Sequence, residues 1–242
     1  MFFHRGFFIL EVFMTKKSKT LNDKSFTTKK IAILGAVTAL AYISTMLTSP
    51  IKVFEFLSCD IKDAIIVIAS LIFGPLSGFI VTVLVSVLEF FTISQTGVIG
   101  MVMNILSTAF FIVPASLIYK YKKTLTSAVI GLLVGTVFMT IAMLLWNYLF
   151  TPLYMGIPRE AVVSMLPTVF LPFNVIKGGI NTTLALILYK PLVTVMRKTH
   201  LIPTKETSDN KLNKGRYVLV LVVSLILLAV CVLLLLFLGG VI

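Results

Sequence analysis

Ser127–Phe150 reads SAVIGLLVGTVFMTIAMLLWNYLF, without one Asp, Glu, Lys or Arg. A helix of that length covers roughly 36 Å at about 1.5 Å per residue, enough to cross the ~30 Å of hydrocarbon in a bilayer. Its apolar residues run on without alternating with polar ones. That pattern argues for a membrane helix and against the short alternating strands of an outer-membrane barrel. In lipid every backbone N–H and C=O must be bonded within the protein.

The same pattern recurs along the chain. Spans are expected at about 31–47, 63–74, 75–91, 97–119, 127–150 and 166–192, with a last, almost purely Leu/Val span at 217–238. The 242 residues are 58% hydrophobic and 12% charged, with a mean hydropathy of +1.07; soluble domains are about 45–50% apolar and about 25% charged. The expectation is an all-α integral membrane protein: a six-helix bundle over 31–195 plus one additional C-terminal transmembrane helix within 217–242. A basic tail (1–30) and a charged linker (196–216) flank the bundle. The tail's apolar run to Met14 is too short to span, and Thr15-Lys16-Lys17-Ser18-Lys19 is no signal-peptidase site; a start at Met14 is an open alternative.

The net charge of +12 could suggest nucleic acid, but its distribution points elsewhere. Most Lys and Arg lie in residues 1–30, in Lys120–Lys123 and from Lys190 to Arg216. Basic loops alternating with uncharged turns follow the positive-inside rule. They place the N-terminus and those loops in the cytoplasm of a multi-pass cell-membrane protein. Cys59 and Cys231 are not expected to meet, and His4 and His200 are too isolated for a metal site. No HExxH, P-loop or Gly-x-Ser-x-Gly elbow is present, so neither enzymatic activity nor a cofactor is expected.

Ionisable and amide groups inside spans are costly, and this makes them functional candidates. Lys177 lies deep in the sixth span, with Asn174 and Asn181 on the same helix face; the competing reading is a lysine that snorkels. Glu89 is either its partner or an interfacial residue. Asn147 stands beside Trp146 and Tyr148, as a site residue or as part of an aromatic belt, and Asn104 either serves the site or bonds a neighbouring helix. Asp60 and Asp63 read as helix N-terminal caps. In the first span Ala32, Gly35, Ala36 and Ala39 form a small-residue stripe. It suits either packing within this chain or close approach of a second membrane protein. The last span is expected to face lipid and carry no chemistry.

Four segments together resemble the riboflavin-specific S component of energy-coupling factor (ECF) transporters. They are Cys59-Asp60-Ile61-Lys62-Asp63-Ala64, Gly74-Pro75-Leu76-Ser77-Gly78, Asn147-Tyr148 with Pro152-Leu153-Tyr154, and Phe173-Asn174-Val175-Ile176-Lys177-Gly178. The resemblance covers about residues 30–195. It departs from the family pattern at Lys62, where a small polar residue is usual, at Ala64, at Glu89 and in the seventh span.

The resemblance implies a substrate-capture subunit that binds one vitamin near the outer face and works with a transmembrane coupling protein and two cytoplasmic ATPases. It implies polar ligand contacts from Asn147, Asn174 and Lys177, and a coupling interface at the stripe from Ala32 to Ala39. Phe54, Phe56, Leu57 and Trp146 are expected to sandwich the flavin ring, following the general pattern of an apolar pocket with a few placed polar groups. The alternatives are an S component for another vitamin or precursor, and a structural membrane protein.

Overall fold

The structure, a computed structural model, describes residues 28–49, 52–53, 57–58, 60–94, 96–198 and 214–238. Residues 1–27 of the expected tail, 199–213 of the expected linker, Phe54, Phe56 and Cys59 lie outside them. Helix α1 spans Thr28–Thr48. A two-residue antiparallel strand pair follows, β1 (Lys52–Val53) with β2 (Leu57–Ser58), in which Val53 pairs with Leu57. Then come α2 (Lys62–Phe73), α3 (Pro75–Thr92), α4 (Gly97–Lys122) and α5 (Leu125–Met155). A short α6 (Arg159–Met165) runs through a π-helical turn (Leu166–Phe170) into α7 (Leu171–Lys198), and α8 covers Lys214–Leu238. Residues Leu34–Ile242 form one unit and Met1–Ile33 another.

Local chemistry explains the breaks. Gly74 adopts φ 94°, and Pro75 opens α3 where a missing N–H costs nothing. α4 ends with Lys120 and Lys122 in its last turn and Lys123 in the left-handed region, where the basic side chains complement the helix dipole. A Thr124/Ser127 capping box starts α5. Gly156, at φ 65°, ends it, five residues beyond the expected boundary. Pro167 and Pro172 lack N–H donors; in the π-turn between them the Leu171 N–H reaches back five residues to the Leu166 carbonyl.

Among the described residues, six helical segments are long and apolar enough to cross a membrane: α1, α3, α4, α5, the α6–α7 segment and α8. At twelve residues, or about 18 Å, α2 is too short to cross alone. It is the buried helix of the bundle: Ala64, Ile66, Val67, Ile68 and Ala69 are almost wholly enclosed. Ala64, Ile66, Val67 and Ile68 share one core cluster with Val81 and Val85 of α3, Phe111 and Ile112 of α4, Leu132 and Met139 of α5, and Ala185 of α7. Helices α4 and α5 approach closely. A Cβ on Gly131 would lie 2.7 Å from the Ala115 carbonyl oxygen, and one on Gly135 would meet the Phe111 carbonyl. The opposite surface of α5 presents Leu133, Phe138, Ile141 and Leu145 outward, as a helix bordering lipid does.

The last helix is not simply a lipid-facing addition. It lies along α7 and buries Ser224, while Cys231 and Leu235 join a second cluster with Phe170, Phe173, Ile176 and Ile180. Gly179 makes room for Cys231: a Cβ there would sit 2.9 Å from Sγ. At the other end Lys190 Nζ stands 3.5 Å from the Tyr217 ring centroid. The spacing Ser224…Cys231 leaves one narrow packed face, which a near-uniform Leu/Val composition hid.

Candidate functional site

The start of α2 lies inside the bundle, so its N–H groups and flanking carboxylates cannot turn to water. Helix α7 satisfies the backbone. Asn181 Oδ1 accepts from the Ala64 N–H at 2.9 Å, and Asn181 Nδ2 donates to the carbonyls of Asp60 and Lys177, each at 3.1 Å. No side chain caps α2 from within its own sequence. The expectation that Asp60 and Asp63 act as caps is therefore corrected: both carboxylates turn to lysines instead.

Those carboxylates belong to a chain of alternating charge. Lys62 Nζ donates to both Glu89 oxygens, at 2.7 and 2.6 Å, and lies 3.8 Å from Asp60 Oδ2. Lys177 Nζ lies 3.3 Å from the same Asp60 oxygen and 3.9 Å from Asp63 Oδ2. Neutral groups of α4 tie the two ends. Asn104 Nδ2 donates to Glu89 Oε2 at 3.0 Å, and the Thr108 hydroxyl donates to Asp63 Oδ1 at 2.6 Å. Asn104 and Thr108 are one helical turn apart, so the chain closes into a ring joining α2, α3, α4 and α7. Its five charged side chains are at most 7% exposed.

Lys177 is thus buried and held by Asp60 and Asp63. Glu89, the partner considered from sequence, instead holds Lys62. Long-range pairing of this kind, 27 residues apart, has no local periodic signal. The available clue was that Lys62 and Glu89, both departures from the family pattern, are opposite charges in adjacent spans.

The candidate amides are also buried. Asn147 Nδ2 donates to the Met143 carbonyl at 2.7 Å, and its Oδ1 accepts from Thr151 at 2.9 Å. Asn174 Nδ2 donates to the Phe170 carbonyl at 2.7 Å, on the last residue of the π-turn. Each of these amide nitrogens carries a second N–H. Trp146 stacks on Phe150, with centroids 4.1 Å apart, and its buried Nε1 has no acceptor among the described residues. A buried indole N–H left without an acceptor costs about 1–3 kcal/mol. Arg159 stands 5.3 Å over the Tyr148 ring, linking the start of α6 to α5. Leu57 is placed by its backbone in β2.

Comparison with known proteins decides the family. The model of the ECF transporter substrate-specific component matches residues 29–189. The chain belongs to the ECF transporter S components. A relative, the riboflavin transporter FmnP of Bacillus subtilis (strain 168), is 31% identical over 186 residues, covering 72% of this chain and 98% of its own. The riboflavin transporter RibU of Staphylococcus aureus (strain TCH60) is 29% identical, covering 70% of this chain and 93% of its own. A solved structure described as "Structure and mechanism of the S component of a bacterial ECF transporter" superposes with a TM-score of 0.59 at 27% identity. It covers 70% of this S component and 98% of its own chain.

This S component is therefore a multi-pass membrane transport subunit and not an enzyme, with the six-helix fold expected and a further helix, α8, beyond the matched residues. In α1 the buried face is Leu34, Thr38, Ala41, Ser44 and Thr45, whereas Ala32, Gly35, Ala36 and Ala39 are all exposed. Among the described residues, the small residues have no packing partner that covers them.

Proposed function

We propose that this S component captures riboflavin at the outer face of the cell membrane and passes it inward with an ATPase-driven coupling module. The observation that carries the reading is the match to two riboflavin transporters across nearly their whole lengths. The site chemistry supports it. Asn147, Asn174 and Lys177 offer N–H donors for the carbonyls of a flavin ring or the hydroxyls of its ribityl chain. Trp146 and Leu57, with Phe54 as expected from the sequence, supply the apolar and aromatic surface for the ring.

The orientation follows from charge. Lys120, Lys122 and Lys190 gather where the end of α4 meets α7, since Tyr119 and Tyr189 share a hydroxyl–hydroxyl hydrogen bond. By the positive-inside rule this end faces the cytoplasm. The ionic ring, built on the starts of α2 and α4 and the end of α3, then lies toward the outside. The exposed stripe from Ala32 to Ala39 is the surface for the transmembrane coupling protein, because small side chains permit close helix approach. Two cytoplasmic ATPases would supply the energy.

The test is riboflavin binding by the purified chain, read by quenching of flavin fluorescence. Stoichiometric binding that weakens in Asn174→Ala and Lys177→Ala, with the helical circular dichroism unchanged, supports the proposal. Well-folded protein that binds no riboflavin refutes the substrate.

A further inference from the structure

The ionic ring has an odd number of charges. Among the described residues it contains two ammoniums, Lys62 and Lys177, and three carboxylates, Asp60, Asp63 and Glu89. Fully ionised, it would bury one uncompensated negative charge. Burying an unpaired carboxylate is so costly that such groups take up a proton instead. Hydrogen bonding is consistent with this: Asp60 Oδ1 and Asp63 Oδ2 are buried and have no hydrogen-bond donor among the described residues. A carboxyl oxygen that no hydrogen bond serves gives up none when it takes a proton.

The three carboxylates are not equivalent. Glu89 receives both of its short contacts from Lys62 and a third from Asn104. Asp60 lies between the two ammoniums, at 3.3 and 3.8 Å. Asp63 has the longest contact, 3.9 Å to Lys177, and among the described residues its other oxygen is served by the neutral hydroxyl of Thr108. We propose that Asp63 holds a proton in the binding-competent state, leaving two ammoniums alternating with two carboxylates in a neutral ring.

Asp63 is thereby a positioning residue. A neutral Asp63 leaves Asp60 as the principal anion on Lys177 and so fixes where that ammonium stands. The groups that face Asp63 are Lys177 from α7, Thr108 from α4, Asp60 from the segment before α2, and its own neighbour Lys62; Glu89 of α3 and Asn104 of α4 complete the ring. As pH rises and the proton leaves, two anions compete for Lys177 and its position is lost. The functional consequence rests on the proposed riboflavin site, whereas the proton itself does not.

The experiment compares wild type, D63N and D60N, each as the full chain in detergent. Asparagine has nearly the shape of a protonated aspartic acid. Infrared spectra of wild type should show the C=O band of a buried carboxylic acid that is missing in D63N. Riboflavin affinity at neutral pH should fall far less in D63N than in D60N. In wild type it should fall at alkaline pH by more than any fall in D63N, whose profile isolates the ligand's own titration. D60N should lose about a hundredfold or more, as expected for breaking a buried pair. Absence of the carboxylic-acid band in wild type overturns the proposal. So does folded D63N that binds as poorly as D60N. If no variant binds riboflavin, the functional reading fails and the infrared band still decides the proton. If D63N does not fold, an alkaline titration of the wild-type band decides it alone.

Discussion

Replacing Lys62 by Met removes the ammonium that neutralises Glu89 and shares Asp60. Both Glu89 oxygens lose their charged donor, at 2.6 and 2.7 Å, and among the described residues Asn104 remains at one of them. Breaking a buried pair in this way costs about 3–5 kcal/mol. The assay is equilibrium unfolding in mixed micelles, followed by the emission of Trp146, the sole tryptophan of the chain. The companion variant is Lys62→Met with Glu89→Met, which removes both charges. It should recover more than half of the loss, since an apolar pair of similar volume often replaces a buried ion pair without penalty. The reasoning is refuted if Lys62→Met is as stable as wild type, or if the two substitutions add independently.

Other perturbations test separate parts of the structure. Gly131→Leu should drive α4 and α5 apart at the Ala115 carbonyl and cost about 1–3 kcal/mol, whereas Val137→Leu on the exposed face should leave the thermal midpoint unchanged. Gly179→Cys should form a disulfide with Cys231 on mild oxidation, because its Cβ would lie 2.9 Å from Sγ. The check is retention of α8 on the bundle after proteolysis of an engineered site within residues 199–213, and failure to cross-link would remove α8 from the face of α7. Ala36→Phe should abolish co-purification with the coupling protein while leaving riboflavin affinity intact; retained assembly would move the interface away from the stripe.

Much of the fold was legible because a bilayer imposes long apolar runs and confines charge to their ends. Ser127–Phe150 declared α5, and the Gly74-Pro75 and Lys120–Lys123 breaks fell where the structure has them. Burial cost alone singled out Asn147, Asn174 and Lys177, and all three are buried. What the sequence did not show were relationships between distant segments. Asp60 and Asp63 looked like caps because a carboxylate beside a helix start usually is one; only the arrival of α7 supplies Asn181 for the backbone and Lys177 for the charge. Lys62 read as a departure, and its bond to Glu89 exists only once α2 and α3 fold back on each other at Gly74. The packed face of α8 was hidden because leucines that face lipid and leucines that face protein look alike. The Gly179–Cys231 contact distinguishes them only in three dimensions.

The central claim, that this S component captures riboflavin through Asn174 and Lys177, is tested most directly by titrating riboflavin into the purified full chain and following quenching of flavin fluorescence. One-to-one binding is predicted, lost in Asn174→Ala and Lys177→Ala while the helical circular dichroism is retained. Folded wild-type protein that leaves riboflavin fluorescence unchanged, or folded variants that bind as tightly as wild type, would contradict it.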